Sequence, residues 1–197
     1  NNILINMNYL IFRDDGIGDL IVSTPLIKYI REIDKDSCVN LICSNRNIEL
    51  ANLLITNKLI DHLLNIDEYE TFSKKFSFYS VINSLNIDHI IILKSSNFSI
   101  YFSKLIKFIN FKNIQISSIA PLNSTKKGKD RYRPGKFIID LIFDNYEVID
   151  CRNDYEYSMN IQMLDHYSNL GNQIFKSGLK NNINDIPYFE PRILNIN

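Results

Sequence analysis

One short segment of this sequence combines acidic side chains with glycines, Arg13-Asp14-Asp15-Gly16-Ile17-Gly18-Asp19. It follows an apolar run and leads into a helical pattern, and open α/β sheets bind ligands beyond the carboxyl ends of their strands. A carboxylate fixed at that edge, such as Asp19, can take a proton from a substrate hydroxyl as a general base. Asp19 or Asp15 can equally cap the helix, because free amides and the helix dipole favour a carboxylate there. Spacing alone does not decide between these two interpretations.

The glycines of this segment begin like a dinucleotide-binding motif but do not complete it. That motif needs a third glycine where Ile21 stands, and an acidic residue after the second strand, where the sequence has Ser44-Asn45-Arg46. The pattern Gly-x-x-x-x-Gly-Lys-Ser/Thr of a P-loop does not occur either. We therefore expect no nicotinamide or flavin cofactor, and we interpret Gly16 and Gly18 as positions where the backbone approaches a ligand closely.

Short apolar runs alternate with longer helical patterns, which is typical of βαβ units and a parallel sheet. The predicted strands are Tyr9–Arg13, Val39–Cys43, His62–Ile66, His89–Leu93 and Ile114–Ile119, and the predicted helices are Asp19–Ile33, Asn47–Ile55, Phe72–Leu85, Phe98–Phe108 and Asp154–Phe175. These elements predict an α/β fold, a Rossmann-like parallel sheet flanked by helices. The segment that contains Asp19 then joins the first strand to the first helix.

Two strands open on an Asp-His pair, Asp61-His62 and Asp88-His89. Such pairs suggest catalysis, but adjacent strand residues point to opposite faces of a sheet. Both pairs also stand at strand starts, away from the edge where such sheets bind ligands. We interpret them as structural, and we place His166 on the surface of the last helix.

The chain has 197 residues, of which 45% are hydrophobic, and its 22 Lys and Arg balance its 22 Asp and Glu. This composition fits a globular domain and argues against a disordered chain or a nucleic-acid-binding protein. Cys38, Cys43 and Cys151 lack the spacing of metal ligands, and the first two fall on opposite faces of one predicted strand. No apolar run approaches the ~20 residues of a spanning helix, and the N-terminus lacks a signal-peptide pattern. We expect a cytoplasmic protein.

The segment around Asp19 resembles the opening of the heptosyltransferase-like glycosyltransferases, family 9. That family begins with a strand, then Arg-x-Asp-x-Ile-Gly-Asp, then an apolar helix with Thr-x-Pro or Thr-Pro. The matching residues here are Arg13, Asp15, Ile17, Gly18, Asp19, Thr24 and Pro25. A weaker match covers Asp88 to Leu93, where Leu93 replaces a final acid, and a loose one covers Met163 to Tyr167.

The resemblance implies the amino-terminal lobe of a two-domain GT-B enzyme, inverting, that moves heptose from ADP-heptose onto the lipopolysaccharide core or a similar glycan. Asp19 matches the general base of that family, and Asp15, Gly16, Ile17 and Gly18 would bind substrate beside it. No cofactor is implied, because the nucleotide sugar is itself a substrate. Residues 1–186 would then form the acceptor-binding domain and 187–197 the start of a linker. With the donor-binding domain absent, we expect this chain alone to be inactive.

Basic residues concentrate between Ser124 and Lys136, where six Lys and Arg stand against one Asp, a local net charge of +5 that the rest of the chain balances. The segment is either a solvated loop or an anion site, in which Arg131 and Arg133 would grip acceptor oxygens. Aromatic and basic residues also interleave from Phe98 to Ile109. This amphipathic helix either packs on the sheet or rests on the inner face of a membrane, as a peripheral contact.

Two other functions fit parts of the sequence. A non-catalytic binding module, or a remnant of such an enzyme, would keep the Rossmann-like lobe without its chemistry. A receiver-like signalling domain would use Asp14 and Asp15 as an acidic pocket and would need a phosphorylated aspartate after the third strand, for which Asp67 is the candidate.

Overall fold

The computed structural model describes residues 6–69, 72–93, 96–110, 113–123, 143–150, 170–171 and 173–174. Six strands are present in these ranges: β1 (Asn8–Phe12), β2 (Cys38–Cys43), β3 (His62–Asn65), β4 (His89–Ile92), β5 (Gln115–Asn123) and β6 (Asn145–Asp150). Four helices connect them: α1 (Ile17–Ile33), α2 (Ile48–Thr56), α3 (Phe72–Ser84) and α4 (Asn97–Asn110). A 3₁₀ turn, Ile66–Tyr69, follows β3.

All six strands are parallel, in the order β3-β2-β1-β4-β5-β6. This is the order of doubly wound dinucleotide-binding folds, so the predicted Rossmann-like α/β architecture is confirmed. The direction of winding reverses between β1 and β4, because the chain moves outward from β1 through β2 and β3 before it returns to β4. The carboxyl ends of β1 and β4 therefore form the crevice in which such sheets bind ligands.

The two faces of the sheet carry separate cores. Along β1, Tyr9 and Ile11 pack with α1 and α2 on one face, whereas Leu10 and Phe12 pack with α3 and α4 on the other. This alternation follows from the two-residue period of a strand. Leu170, which is helical and buried, joins the face of α1 and α2. The central strand is therefore apolar on both faces, and polar side chains gather at its ends.

Aspartate side chains accept hydrogen bonds from backbone amides along the amino edge of the sheet. Four of them stand shortly before a strand, and each accepts a hydrogen bond from a backbone amide at the start of a neighbouring strand. The pairs are Asp34 with Met7 at 3.2 Å, Asp61 with Val39 at 2.7 Å, Asp88 with Asn8 at 3.0 Å and Asp144 with Ile116 at 2.6 Å. The structural interpretation of the two Asp-His pairs is thereby confirmed for both aspartates.

The predicted elements lie within a few residues of the observed ones, with two exceptions. β5 continues past Ile119 through Pro121, which a central strand would not tolerate because proline lacks an amide hydrogen. The pairing of β5 with β4 ends at Ser118, however, so within the described residues Pro121 pairs with β6 alone, where the register also shifts. β6 was not predicted. The described residues of the predicted last helix, 170–171 and 173–174, are helical, and the remainder lies outside the described ranges.

Within those described ranges, no helix combines the length and the apolar character needed to cross a bilayer.

Candidate functional site

Arg13 is the buried centre of the segment that follows β1. Its side chain is only 2% exposed, although it carries a charge. Its backbone amide donates to the Ile42 carbonyl at 2.9 Å, and its carbonyl accepts from the Asn47 side chain at 2.7 Å. Asn47 is itself fully buried at the start of α2. The backbone of Arg13 is thus fixed beside the end of β2, independently of the contacts that its guanidinium makes.

The Arg13 guanidinium joins the two strand ends that form the crevice. Its Nε and Nη2 donate to the Asp19 carbonyl at 3.0 and 2.8 Å, and its Nη1 donates to the Leu93 carbonyl at 3.0 Å. Asp19 lies in the first turn of α1, and Leu93 directly follows β4. A buried guanidinium is stable only when its donors have partners, and here two backbone carbonyls accept from all three of its nitrogens.

Two carboxylates complete the environment of Arg13, and they differ in exposure. Arg13 Nη1 lies 3.2 Å from an oxygen of Asp15, which is 18% exposed, and Nη2 lies 3.4 Å from an oxygen of Asp19, which is 52% exposed. Within the described part of the chain, Arg13 is the ionic partner of Asp19. The backbone of Asp19 is therefore fixed by Arg13, and its carboxylate is open to solvent.

The first residue outside α1 is Gly16, so neither Asp15 nor Asp19 is the cap residue of this helix. Gly16 has no side chain to accept an amide hydrogen bond, and its backbone is extended at φ −76° and ψ 164°. Asp19 retains a favourable interaction with the helix dipole, since it stands in the first turn. With Asp19 partly exposed and not the cap residue, the general-base interpretation remains open.

The two glycines differ in what a side chain would meet. A Cβ atom on Gly16 would lie 3.2 Å from an oxygen of Asp19, whereas a Cβ atom on Gly18 would meet nothing within 4 Å. Gly16 thus leaves room for the Asp19 carboxylate, and the surface beside Gly18 is open. Ile17, between them, is about half exposed. The predicted binding of substrate at these three residues and at Asp15 stays a prediction.

A cleft of about 340 Å³ opens on the α3 and α4 side of the same sheet edge. Its polar lining is Asp14, Asp67 and Lys75, and its aromatic lining is Tyr69, Phe78 and Phe98. The volume is at the low end of the range of about 300–1,000 Å³ typical of small-molecule sites. The sequence interpretation missed this cleft, because its residues come from four separate elements. The one local signal was the acidic pair Asp14 and Asp15, of which Asp14 lines the cleft and Asp15 pairs with Arg13.

Two buried groups near the sheet are poor candidates for chemistry. Burial raises the pKa of the Cys43 thiol to about 12, so the thiol stays protonated at neutral pH. Burial also lowers the pKa of His89 to about 4, against the opposing attraction of Asp144. The His89 Nε2 lies 2.7 Å from the Ser117 hydroxyl within the sheet. Both side chains are fully buried, so a substrate does not reach them.

Other predicted sites are placed only in part. Arg131, Arg133 and the rest of the basic segment lie outside the described residues.

Helix α4 has apolar residues on two sides. Ile100, Phe102 and Ile106 are buried in the core, and Phe98 packs partly buried against it, as packing on the sheet predicts. Four other apolar side chains are exposed, namely Tyr101, Leu105, Phe108 and Ile109. Core packing therefore accounts for only one side of this helix.

The receiver-like alternative is wrong because the strand order contradicts it. Receiver domains have the order 2-1-3-4-5, in which the first strand lies between the second and the third. Here β1 lies between β2 and β4. Asp67 follows β3 as predicted, but its carboxylate accepts a hydrogen bond from the Asn45 amide at 2.7 Å. The acidic residues of the two strand ends belong to a different architecture.

Several solved glycosyltransferases share this fold. A family 9 glycosyl transferase from Veillonella parvula aligns with a TM-score of 0.54 and 16% identity, over 82% of this chain and 42% of its own. The E. coli heptosyltransferase WaaC with ADP aligns with a TM-score of 0.55 and 10% identity, over 85% of this chain and 46% of its own. E. coli ADP-heptose lipopolysaccharide heptosyltransferase II aligns with a TM-score of 0.52 and 13% identity, over 84% of this chain and 40% of its own.

These likenesses confirm the fold that the sequence resemblance predicts. At identities of 10–16%, they establish an architecture shared with GT-B glycosyltransferases. The chain spans less than half the length of each of these three structures. No protein-family model matches the sequence, and no curated protein sequence does.

Proposed function

We propose that this chain is the acceptor-binding lobe of an inverting glycosyltransferase, with Asp19 as the general base. The observation that carries the proposal is the position of Asp19, a half-exposed carboxylate fixed by buried Arg13 at the crevice between β1 and β4. The fold shared with heptosyltransferases supports this choice of reaction. The proposed transfer moves heptose or a related sugar from a nucleotide sugar to the lipopolysaccharide core or a similar glycan.

The proposed reaction is a single displacement at the anomeric carbon of the donor sugar. Asp19 takes the proton of an acceptor hydroxyl as its oxygen forms a bond to that carbon. The bond from the same carbon to the nucleoside diphosphate breaks, and the diphosphate leaves with the electron pair. Because the attack comes from the side opposite the leaving group, the configuration inverts. Arg13 acts as a positioning residue, since its donors are bound to Asp19 and Leu93.

The donor in this proposal is a nucleotide sugar similar to ADP-heptose. Two of the solved structures with this fold are WaaC with ADP and WaaC with ADP-2-deoxy-2-fluoro heptose. Glycosyl transfer needs two bound substrates in a gap that excludes water, which two closing lobes provide. We therefore expect this lobe alone to orient an acceptor without transferring sugar. The proposed compartment is the cytoplasm, with contact at the inner face of the membrane.

The test compares Asp19→Asn with Asp36→Asn in the full-length gene product that contains this chain. Asp36 is an exposed acid in the turn before β2, at the opposite edge of the sheet. Release of ADP from ADP-heptose is measured with deacylated lipopolysaccharide core as acceptor, and the product is identified by mass spectrometry. We expect Asp19→Asn to lower kcat by about 10²-fold to 10⁴-fold, and Asp36→Asn to leave it unchanged. Full activity of Asp19→Asn would exclude this base.

A non-catalytic binding module is the second candidate, and the cleft beside Asp14 favours it. A site lined by Tyr69 and Asp67 can hold a ligand without any contribution from a second lobe. Under this alternative, the full-length protein binds a glycan and releases no nucleoside diphosphate. The ADP-release measurement therefore separates the two candidates.

A further inference from the structure

The cleft on the α3 and α4 side combines two carboxylates that come from different strand ends. Asp14 follows β1, and Asp67 lies in the 3₁₀ turn after β3. Asp67 is fixed in place, because one of its oxygens, Oδ2, accepts from the Asn45 amide at 2.7 Å and its own amide donates to Asn65 at 3.2 Å. Among the described residues, the other oxygen of Asp67 has no donor. That oxygen can accept a hydrogen bond from a ligand.

The apolar part of the cleft is a wall of packed aromatic rings. The ring centroids of Tyr69 and Phe78 lie 4.7 Å apart, and those of Phe78 and Phe98 lie 6.3 Å apart. Phe98 in turn stacks on Phe102 at 5.2 Å. Phe78 is almost fully buried, whereas Tyr69 and Phe98 are only partly buried. The wall is therefore rigid and presents aromatic surface to whatever enters.

The charge of the lining selects among ligands. Two carboxylates face one ammonium group, that of the exposed Lys75, so the lining carries a net charge of −1. A ligand with a phosphate or carboxylate would meet repulsion from Asp14 and Asp67. Carboxylates instead accept strong hydrogen bonds from hydroxyl groups. Aromatic rings have a negative face, which suits the C–H groups of a sugar ring.

We propose that this cleft binds an uncharged, hydroxyl-bearing sugar ring. Asp14 and Asp67 accept hydrogen bonds from its hydroxyl groups, and Tyr69 and Phe98 pack against its C–H face. The cleft lies at the same sheet edge as Asp19, and Asp14 belongs to the segment that leads to it. That this sugar is the acceptor rests on the proposed function. The acceptor sugar that enters this cleft is then neutral, and any phosphate of the acceptor binds elsewhere.

Binding of simple glycosides to the purified chain tests this proposal without any sugar transfer. The probes are methyl β-D-glucopyranoside, its uronic acid counterpart and glucose 6-phosphate, each followed by saturation-transfer and chemical-shift NMR. We expect the neutral glycoside to bind with a millimolar dissociation constant and the two anionic probes to bind more weakly. Tighter binding of either anionic probe, or no binding of the neutral glycoside, would overturn the proposal.

Two variants that conserve shape locate the site, with Asp36→Asn as the matched control. Asp14→Asn and Asp67→Asn should each weaken binding of the neutral glycoside by about tenfold, because each replaces a charged acceptor with a neutral one. Both should also reduce the preference for the neutral glycoside over its uronic acid counterpart, since the repulsion falls. Asp36→Asn should change neither quantity. Equal effects of all three variants, or none, would show that the cleft is not the site.

This experiment and the transfer test fail independently. If the neutral glycoside binds in the cleft and the full-length protein releases no ADP, the cleft proposal stands and the proposed enzyme falls. If ADP is released while only anionic glycosides bind, the enzyme stands and the cleft proposal falls. Amide NMR spectra of each variant show whether its fold is retained, and a variant that unfolds is replaced by Tyr69→Ala, which removes aromatic surface without a change of charge.

Discussion

Arg13 and Asp19 are joined through both the backbone and the side chain of the aspartate. Two nitrogens of the guanidinium donate to the Asp19 carbonyl, at 3.0 and 2.8 Å, and one of them lies 3.4 Å from its carboxylate. The arginine thus fixes the first turn of α1 and the charge that projects from it. A point charge could replace the second contact, but only a planar fork makes the first.

Arg13→Lys should therefore separate charge from geometry. The lysine keeps a positive charge near Asp15 and Asp19, but its single ammonium group cannot bind the carbonyls of Asp19 and Leu93 in the same way. We expect a loss of about 1–3 kcal/mol in the free energy of unfolding, measured by urea denaturation. Arg13→Ala should lose more, since it leaves two carbonyls unsatisfied. Lys28→Ala, at a partly exposed position of α1, is the control, and a loss of stability as large in that variant would contradict the role of Arg13.

Gly16→Ala should affect the proposed transfer more than stability. Its φ of −76° is allowed for alanine, but the new Cβ atom would lie 3.2 Å from an oxygen of Asp19, which must move by a few tenths of an ångström. Asp19 is half exposed and can move. We expect little change in the unfolding midpoint and a lower kcat of the proposed transfer. Unchanged kcat would mean that the position of the carboxylate tolerates this shift.

Gly18→Ala should act in the opposite way. No atom lies within 4 Å of the added Cβ atom, and alanine stabilises a helix relative to glycine by about 0.5–1 kcal/mol. We therefore expect a slightly more stable protein. If the open surface beside Gly18 is where the backbone approaches substrate, the KM for the acceptor should rise. A stable variant with unchanged KM would remove Gly18 from the predicted binding residues.

The stability of the fold should fall in mild acid because of His89. Burial lowers its pKa from 6.5 in an unfolded chain to about 4 in the folded protein. Between pH 6.5 and pH 4, His89 is protonated in the unfolded state and neutral in the folded state. The free energy of unfolding is therefore unaffected by His89 above pH 6.5 and decreases as the pH falls towards 4. The slope from this one group is at most on the order of 1 kcal/mol per pH unit. In a pH titration followed by NMR, the His89 ring should stay neutral at pH 6; a His89 ring that is protonated at pH 6 would contradict this prediction.

Reversal of charge at Arg131 and Arg133 tests the basic segment. If these side chains bind a phosphate of the acceptor, Arg131→Glu with Arg133→Glu should weaken binding of a phosphorylated acceptor and leave an unphosphorylated one unaffected. Lys35→Glu, in an exposed turn, controls for the change in net charge. Equal weakening of both acceptors would indicate a general electrostatic effect, and unchanged affinity would assign the segment to a solvated loop.

The repeating parts of the fold were predictable from sequence, and the contacts between distant parts were not. Alternation of apolar runs and helical patterns placed β1 to β5 and α1 to α4, because each element has its own local period. Pro121 ended the prediction of β5 too early, since its tolerance depends on where β4 stops. The strand Asn145–Asp150 follows a segment without a clear pattern and escaped detection.

The candidate site likewise has a part that the sequence predicts and a part that depends on contacts between distant residues. Asp19 and its glycines were found because they stand together in the sequence. The role of Arg13 depends on Leu93, and the cleft depends on Asp14, Asp67 and Phe98 meeting at one edge. No local sequence pattern predicts these contacts, because the order of the strands in the sheet brings the residues together. The sequence segment thus predicts the position of a site, and the topology determines the side chains that surround it.

Both ends of β1 are held by residues 80 positions later in the chain. The amide of Asn8 donates to Asp88, and the guanidinium of Arg13 donates to Leu93. β1 and the turn that carries Asp19 are synthesised before β4, and two of the contacts that fix them form only with residues beside β4. On the ribosome, these two contacts therefore form only after the chain has emerged through Leu93. A nascent chain that stops before β4 would carry the sequence of the site without its shape.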